Sequence, residues 1–357
     1  MKKRIYLFFV FLVLFIGGCK DNEVKAPPTP VPNPNSISTN QYTNQGDHSE
    51  GERKPLAISQ DAMEILAQDL GKPLDQLTLE DLQEIQSYII DSQERNIGNS
   101  FKALENLEEL YIEIPIDDLS FLVDLPKLSV LSLYDFEDAN LDDLRDLNTL
   151  EHLILSNGKI SNFDFLTSLQ NLFSLELDNV GLSDVSQLPA LENLQDLIII
   201  EYDLENLKAL LNFPNLKYLT IGINWIDDVT PLQELVQLEG LRLIGNFHSI
   251  EFIKNFNNLV YLEILQTLVE DLSPVANLTQ LQHLELYRTK VSDLSPISSL
   301  SKLEYLGIRY TWVNDISPVE HLTNLKYLDI YNTRISDLSP LRNLSQLEEK
   351  YIWDIRM

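Results

Sequence analysis

Cysteine is almost absent from this sequence of 357 residues: Cys19 is the only one, so no disulfide bond can form within the chain. Five histidines are scattered along the sequence, which argues against a zinc site of the cysteine–histidine type. Basic residues are few, because 26 lysines and arginines stand against 55 aspartates and glutamates, for a formal net charge of −29. A surface with this charge repels phosphate backbones, so nucleic-acid binding is disfavoured.

Motifs for catalysis are also missing. The sequence has no glycine-rich phosphate loop, no His-Glu-x-x-His and no nucleophile elbow. Paired carboxylates occur at Asp142–Asp143 and Asp227–Asp228, but they follow predicted strands, where capping of a turn accounts for them. We therefore expect no catalytic residue, no metal site and no cofactor, and we predict that the protein is not an enzyme.

The amino terminus has the features of an export signal. Basic residues 2–4 precede an apolar run over 5–18, which is shorter than the roughly 20 residues that span a membrane. The run ends in Ile16-Gly17-Gly18-Cys19, which resembles the lipobox of bacterial lipoproteins. The resemblance implies cleavage of a signal peptide over 1–18 and lipidation of Cys19 with a diacylglycerol that carries acyl chains such as palmitate. An ordinary secretion signal with a chance cysteine is the alternative.

Residues 19–57 are predicted to be a disordered tether behind the lipidated cysteine. Six prolines stand among polar residues there, and no apolar periodicity remains that could bury a core. A flexible coil of this length spans about 30–36 Å, enough to hold a folded domain off a surface. We expect the protein to be anchored to the cell membrane or outer membrane of a bacterium and exposed outside the cytoplasm.

The remainder of the chain is one repeat of 21 or 22 residues, marked by leucines at Leu107, Leu128, Leu150, Leu172, Leu194, Leu216, Leu238, Leu259, Leu281, Leu303, Leu325 and Leu347. Each copy opens with Leu-x-x-Leu-x-Leu, whose alternation predicts a strand with one apolar face. In the copy from Leu281, Thr289 is expected to bond the next copy's backbone and Asp293 to cap a turn. A serine N-cap at Ser295 and a proline behind it predict that the turn is a short 3₁₀ helix.

These residues resemble leucine-rich repeats of the 22-residue class found in internalins of Gram-positive bacteria, over about 58–357. The resemblance implies an α/β solenoid, a curved horseshoe with a parallel sheet on its concave side and short 3₁₀ or irregular segments on its convex side. We predict a small helical cap over 58–84, with a capping box at Thr78–Asp81, about twelve repeats over 85–346 and a closing strand over 347–357.

Aromatic residues mark the concave side of the last copies. The third position of each copy is predicted to face outward, and in four successive copies it forms an aromatic ladder of Tyr261, His283, Tyr305 and Tyr327. A second row and the strand exits add further rings. The candidate ligand-binding residues are Tyr218, Tyr261, His283, Tyr287, Tyr305, Arg309, Tyr310, Trp312, Tyr327 and Tyr331.

Between the two rows lie Glu263, Glu285 and Asp329, which we expect to be exposed acidic points that favour a basic partner. Arg309 is expected to pair with a carboxylate of that partner. The resemblance implies an interaction module, so we predict a monomer that binds another protein, including a host or cell-surface protein in adhesion, and touches the membrane only through its lipid. A glycan or cell-wall-binding module on the same rings is the alternative, as is a ladder that only stiffens the sheet.

Overall fold

The computed structural model describes residues 59–91, 98–136, 139–225 and 228–348. The predicted signal peptide over 1–18, Cys19 and the tether lie outside these residues, as does the predicted closing strand beyond residue 348. Within the described residues, short helices at the amino end lead into one parallel sheet.

Two short helices precede the sheet: α1 (Gln60–Asp69) and α2 (Leu79–Gln83), with a 3₁₀ turn at Leu74–Gln76 between them. The predicted capping box of α2 is present, because Thr78 and Asp81 each accept a hydrogen bond from the other's backbone N–H. Buried side chains of both helices belong to the same core as the repeats, so the helices cover apolar surface at the start of the solenoid. In the described part of the chain, no helix has the length and apolar character needed to cross a membrane.

The sheet consists, in the described residues, of twelve parallel strands in chain order. Their alternation buries one leucine-rich face, as in β10, where Leu284 is fully buried between Leu262 and Leu306 of the neighbouring strands. The predicted solenoid is confirmed, and we call the opposite, solvent-side face of the sheet the concave face. The strands are β1 (Ser87–Ile90), β2 (Glu109–Ile112), β3 (Val130–Tyr134), β4 (His152–Ser156), β5 (Ser174–Asp178), β6 (Asp196–Asp203), β7 (Tyr218–Trp225), β8 (Gly240–Gly245), β9 (Tyr261–Leu265), β10 (His283–Glu285), β11 (Tyr305–Gly307) and β12 (Tyr327–Asp329).

The return segments of the coils are 3₁₀ turns, as the short Ser-Pro motifs predict, for example Ser295–Ile297. The expected serine cap is wrong in detail. The carboxylate of Asp293 accepts both the backbone N–H and the hydroxyl of Ser295, each at 2.8 Å, so the aspartate is the cap and the serine is its donor. The same pair recurs in the neighbouring copies at Asp271, Asp315 and Asp337.

Hydrogen bonds between side chains and backbone tie the coils together, but not from the threonines at the strand exits. Thr311 donates to the carbonyl of Ile308 in its own coil at 2.7 Å, which corrects the expected bond to the next coil. The asparagine that precedes the first leucine of a copy makes the link instead: Asn324 donates to the carbonyl of Ser301 at 2.7 Å. Equivalent bonds are made by Asn106, Asn171, Asn193, Asn215 and Asn258.

Candidate functional site

The aromatic ladder forms on β9 to β12 as predicted, because parallel register places its members side by side. The ring of His283 lies between those of Tyr261 and Tyr305, with 4.2 Å between centroids on each side and interplanar angles of 15° and 7°. Tyr327 is more loosely attached, 6.5 Å from Tyr305 and tilted by 38°. The faces of the stacked rings therefore cover one another, and the ladder presents ring edges to the solvent.

A buried ion pair lies beneath the first part of the ladder. The carboxylate of Glu263, which is 7% exposed, accepts hydrogen bonds from Arg242 Nε and from the hydroxyl of Tyr261. His283 Nε2 lies 3.4 Å from Glu263 Oε1. Burial opposes ionisation of Glu263, but the nearby imidazole of His283, the charge of Arg242 and the hydrogen bonds from Arg242 and Tyr261 outweigh it and lower its pKa to about 2.

Glu285, on the next strand, is in a different environment although it is equally buried, at 5% exposure. Its carboxylate accepts the hydroxyl of Tyr305 at 2.8 Å, and its nearest cation is Arg309, with 3.8 Å from Nε to Oε1. Burial raises the pKa of Glu285 to about 7, and the distant guanidinium only partly opposes this. Gly307, its register partner on β11, leaves the space for this carboxylate, which an added Cβ would occupy.

Two expectations about charge on the concave face are therefore wrong. Glu263 and Glu285 are not exposed acidic points, because tyrosine rings of the ladder and neighbouring side chains cover them. Arg309 is not held ready for a partner's carboxylate, because its Nε lies 3.2 Å from Asp329 of the neighbouring strand, whose pKa is raised by burial. The acids of this region are neutralised within the protein.

The rings at the strand exits form a second group, the rim cluster, which consists of Tyr287, Arg288, Tyr310, Trp312 and Tyr331. Tyr310 packs edge to face against Tyr287 at 5.7 Å and against Tyr331 at 5.4 Å. The guanidinium of Arg288 lies 5.3 Å and 5.2 Å from the ring centres of Tyr287 and Tyr310, within cation–π range. Trp312 is 51% exposed. Arg309 approaches the same group from the ladder side, 5.2 Å from the ring centre of Tyr287.

Arg288 is a residue that sequence reasoning missed. It stands one position before Thr289 and aligns with Tyr310 in the next copy, a residue that was selected, so the repeat itself contained the signal. Both residues adopt left-handed backbone conformations, with φ of 52° for Arg288 and 57° for Tyr310. In the last described coil the same place is taken by Asn332, a residue type that tolerates this conformation well.

Tyr218 does not join the ladder. It lies two strands before Tyr261, with Gly240 of β8 between them in register. Its ring covers that glycine, where an added Cβ would come within 2.6 Å of Cδ1, and its hydroxyl lies 3.3 Å from Glu239. Of the predicted binding residues, the structure therefore places Tyr218 apart and divides the others between the ladder and the rim.

A group of half-buried acids on β5 and β6 was also not predicted. Burial raises the pKa of Glu176 to about 7, with a further contribution from the charge of Asp178. Burial likewise raises the pKa of Asp196 to about 7, against the favourable charge of Arg242. No set of three such side chains in the described residues is arranged to hold a metal ion, so these acids define an electrostatic feature of the concave face.

Comparisons with known proteins agree with this geometry. A family model described as leucine-rich repeats in two copies matches residues 301–343. An internalin of Listeria monocytogenes is 25% identical, with 81% of this chain and 94% of that chain covered and a TM-score of 0.56. A leucine-rich-repeat protein of Leptospira interrogans is 18% identical over 75% of this chain and 78% of its own, with a TM-score of 0.52. No curated protein matches the sequence.

A mammalian structure shares the fold as well: the mouse RP105/MD-1 complex is 24% identical, with 75% of this chain and 50% of that chain covered and a TM-score of 0.54. Repeats and fold together define a leucine-rich-repeat solenoid. In structure it is similar to an internalin, and proteins of this class are typically interaction modules rather than enzymes.

Proposed function

We propose that this is a lipid-anchored protein outside the cytoplasm that binds another protein through the concave face of β9 to β12 and the rim cluster beside it. The observation that carries the proposal is the rim cluster itself. Tyrosine, tryptophan and arginine are the residues that dominate interface energies, and here they are clustered and solvent-accessible on one edge of a sheet. A role in adhesion or in contact with a host protein belongs to the same proposal.

The rim cluster is preorganised by the repeat. Backbone N–H groups of Arg288 and Tyr310 donate to the carbonyls of Arg309 and Tyr331 in the following coil, each at 3.0 Å. The strained left-handed residues are therefore held by backbone hydrogen bonds between successive coils, and little conformational freedom remains to be lost on binding. Trp312 has no ring partner among the described aromatic residues, and half of its surface stays open to solvent.

The geometry favours a protein over a glycan as the ligand. Sugars bind aromatic side chains by stacking on exposed ring faces, but the faces of His283 are covered on both sides at 4.2 Å. The hydroxyls of Tyr261 and Tyr305 are used as well, because they donate to Glu263 and Glu285. A partner that engages edges of rings, a guanidinium and one open indole fits the arrangement better.

Site-specific cross-linking tests the binding surface. Cells would express the full chain with a photoreactive benzoylphenylalanine at Trp312 or, as a matched control, at Tyr202. Tyr202 is a 68% exposed aromatic residue on β6, away from β9 to β12. We expect ultraviolet light to capture one protein species at position 312 and none at 202. Capture at 202 alone would move the binding surface to the amino-terminal coils.

The anchor is tested separately, and the lipobox-like sequence at Cys19 is what supports it. Cys19→Ser removes the only thiol of the chain, so labelled fatty acid should enter the parent protein and not the variant. The parent should fractionate with membranes and the variant should be released from them. A parent protein without label, or a variant that stays equally membrane-bound, would contradict the lipoprotein proposal.

A further inference from the structure

Positive charge collects at the rim of the last coils, although the chain as a whole carries −29. Arg288, Lys290 and Arg334 are the cations of this edge. Within the described residues, Arg288 and Arg334 have no carboxylate partner, whereas Arg145, Arg242 and Arg309 all do. Lys290 is partly neutralised, with 3.6 Å between its Nζ and Glu270 Oε1.

The repeat places these cations in register with the exposed tryptophan. Lys290, Trp312 and Arg334 each donate a backbone hydrogen bond of 2.9–3.0 Å to a carbonyl of the preceding coil. In each case the acceptor comes directly after the residue that occupies the equivalent position in that coil. These three residues therefore form one row, with the indole between two basic side chains. Successive coils are about 4.8 Å apart, so the row has a fixed spacing. Arg288 and Tyr310 form the adjoining row on the concave side.

No carboxylate of the described residues forms an ion pair with Arg288 or Arg334. Glu263 and Glu285 are buried under the ladder, and Asp329 is paired with Arg309. The exposed aspartates of the return turns, such as Asp315, accept the backbone N–H and hydroxyl of a serine two residues later, which fixes their position but leaves their negative charge in place. Arg288 and Arg334 are therefore the exposed side chains of this edge that are free to pair with carboxylates of a partner.

We propose that the rim binds an extended acidic segment of the partner protein. Two carboxylates would pair with Arg288 and Arg334, and an apolar side chain between them would cover Trp312. This inference rests on the proposed function and names the chemistry of its partner; it replaces the basic partner expected from the sequence. The arginines belong to coils two repeats apart and to adjoining rows, so they are separated by about 10 Å or somewhat more, which an extended chain spans in about four residues.

Arginine is suited to this role because its planar guanidinium pairs with both oxygens of a carboxylate. Arg288 is oriented for it in advance by the rings of Tyr287 and Tyr310. The net negative charge of the protein does not prevent such contacts, since charges farther away than about 8 Å are screened at physiological salt. Binding is expected to depend on local pairs rather than on the overall field.

The test uses the full chain and a fluorescein-labelled probe peptide, Gly-Glu-Glu-Leu-Glu-Glu-Leu-Glu-Glu-Gly, followed by fluorescence anisotropy. We expect the acidic peptide to bind, and a version with lysine in place of glutamate not to bind. The double variant Arg288→Asn/Arg334→Gln should weaken binding by about tenfold or more, as loss of charged hydrogen bonds does. Asparagine occupies the equivalent left-handed position at Asn332, so the first substitution introduces no backbone strain.

Arg342→Gln is the matched control. Arg342 is also exposed and lies in the last described coil, but on its 3₁₀ return turn, so its loss should leave affinity unchanged. Trp312→Ala should also weaken binding of the acidic peptide. Because this substitution removes no charge, such a loss would distinguish a defined site from general charge attraction. All four side chains are exposed, so the variants should keep the fold, and thermal unfolding of each variant checks this.

Three results would overturn the inference. One is no binding of the acidic peptide up to about 1 mM; another is equal affinity of the parent and the arginine double variant. The third is binding of a sulfated oligosaccharide, such as a heparin hexasaccharide, that needs the same arginines while the peptide does not bind. The cross-link from position 312 is independent of all three, so the proposed protein-binding function can survive the failure of this inference.

Discussion

Glu263 and Glu285 provide a matched test of how burial and pairing set the charge of a concave-face acid. They stand opposite each other on β9 and β10, and both are buried. The pKa of Glu263 is lowered to about 2, whereas that of Glu285 is raised to about 7. We predict that replacing each by glutamine, a neutral isostere, changes the free energy of unfolding in opposite directions at pH 8.

The sign follows from proton linkage. Between the ordinary pKa of 4.5 and about 7, the folded protein holds a proton on Glu285 that the unfolded chain has released, so this residue makes stability fall as pH rises through that window. Above pH 7 the ionised carboxylate costs about 3 kcal/mol, and Glu285→Gln should recover up to that amount. Below pH 4.5 parent and variant should be about equally stable.

Glu263 behaves in the opposite way. Its lowered pKa contributes stability that is present above 4.5 and is lost as pH falls toward about 2. Glu263→Gln should therefore cost about 3 kcal/mol at pH 8, because it also leaves Arg242 buried without its carboxylate. The penalty should shrink only in strong acid.

The free energy of unfolding of each variant is measured by urea denaturation at pH 4.5 and pH 8. Glu320→Gln, at an exposed position, is the control and should stay within about 0.5 kcal/mol of the parent at both pH values. The reasoning is refuted if both buried substitutions shift stability in the same direction at pH 8. It is refuted equally by a gain from Glu285→Gln that does not change with pH.

Three further substitutions test the packing by denaturant unfolding. Leu284→Ala should cost about 2–5 kcal/mol, because this side chain is fully buried between coils; a cost below about 1 kcal/mol would mean that the register is wrong. Gly307→Ala should destabilise the parent protein, because the added Cβ meets the carboxylate of Glu285. The same substitution should cost much less in a Glu285→Ala background, and equal costs in the two backgrounds would exclude the clash. Asn324→Ala should cost about 1 kcal/mol for its bond to Ser301, and no change would show that solvent replaces it.

The period of the leucines was sufficient to predict the strands and their register, and the resemblance to leucine-rich repeats implied the solenoid. Once Leu284 is assigned to the core face, alternation places His283 and Glu285 on the other face, and a repeat of 22 residues aligns them with Tyr305 and Gly307. Parallel stacking of the ladder follows from that alignment alone. These features depend on residues within one copy and on the repeat length, both of which the sequence contains.

Burial of the two glutamates could not be predicted in the same way. Alternation determines the face on which a side chain lies, but not what the neighbouring coils place over it. Glu285 is covered because Tyr305 reaches back to it and because Gly307 leaves room beside it, and both belong to the next coil. For Glu285, the glycine that lies beside it in register is the sequence feature that accompanies this covering.

The same limit explains the hydrogen bonds between coils. Threonine at the strand exit and asparagine before the first leucine both recur with the repeat, and either could reach a backbone carbonyl. In the structure Thr311 reaches its own coil and Asn324 reaches the preceding one. Recurrence shows that a polar side chain has a fixed partner, while the partner's identity depends on the path of the backbone at that point.

Ladder and rim should consequently not be treated as one binding surface. Removal of Tyr305 would take away a stacking partner of His283 and the donor to Glu285, so a loss of binding in Tyr305→Ala would not distinguish a contact with the partner from a disturbed sheet. Trp312 supports neither the ring stack nor the buried ion pairs, and its indole is half exposed. A loss of binding on its removal, at unchanged stability, can therefore be attributed to the interface. The ladder gives the last four strands a rigid, internally neutralised face, and the rim is the part of that face whose charge and aromatic surface remain available to a partner.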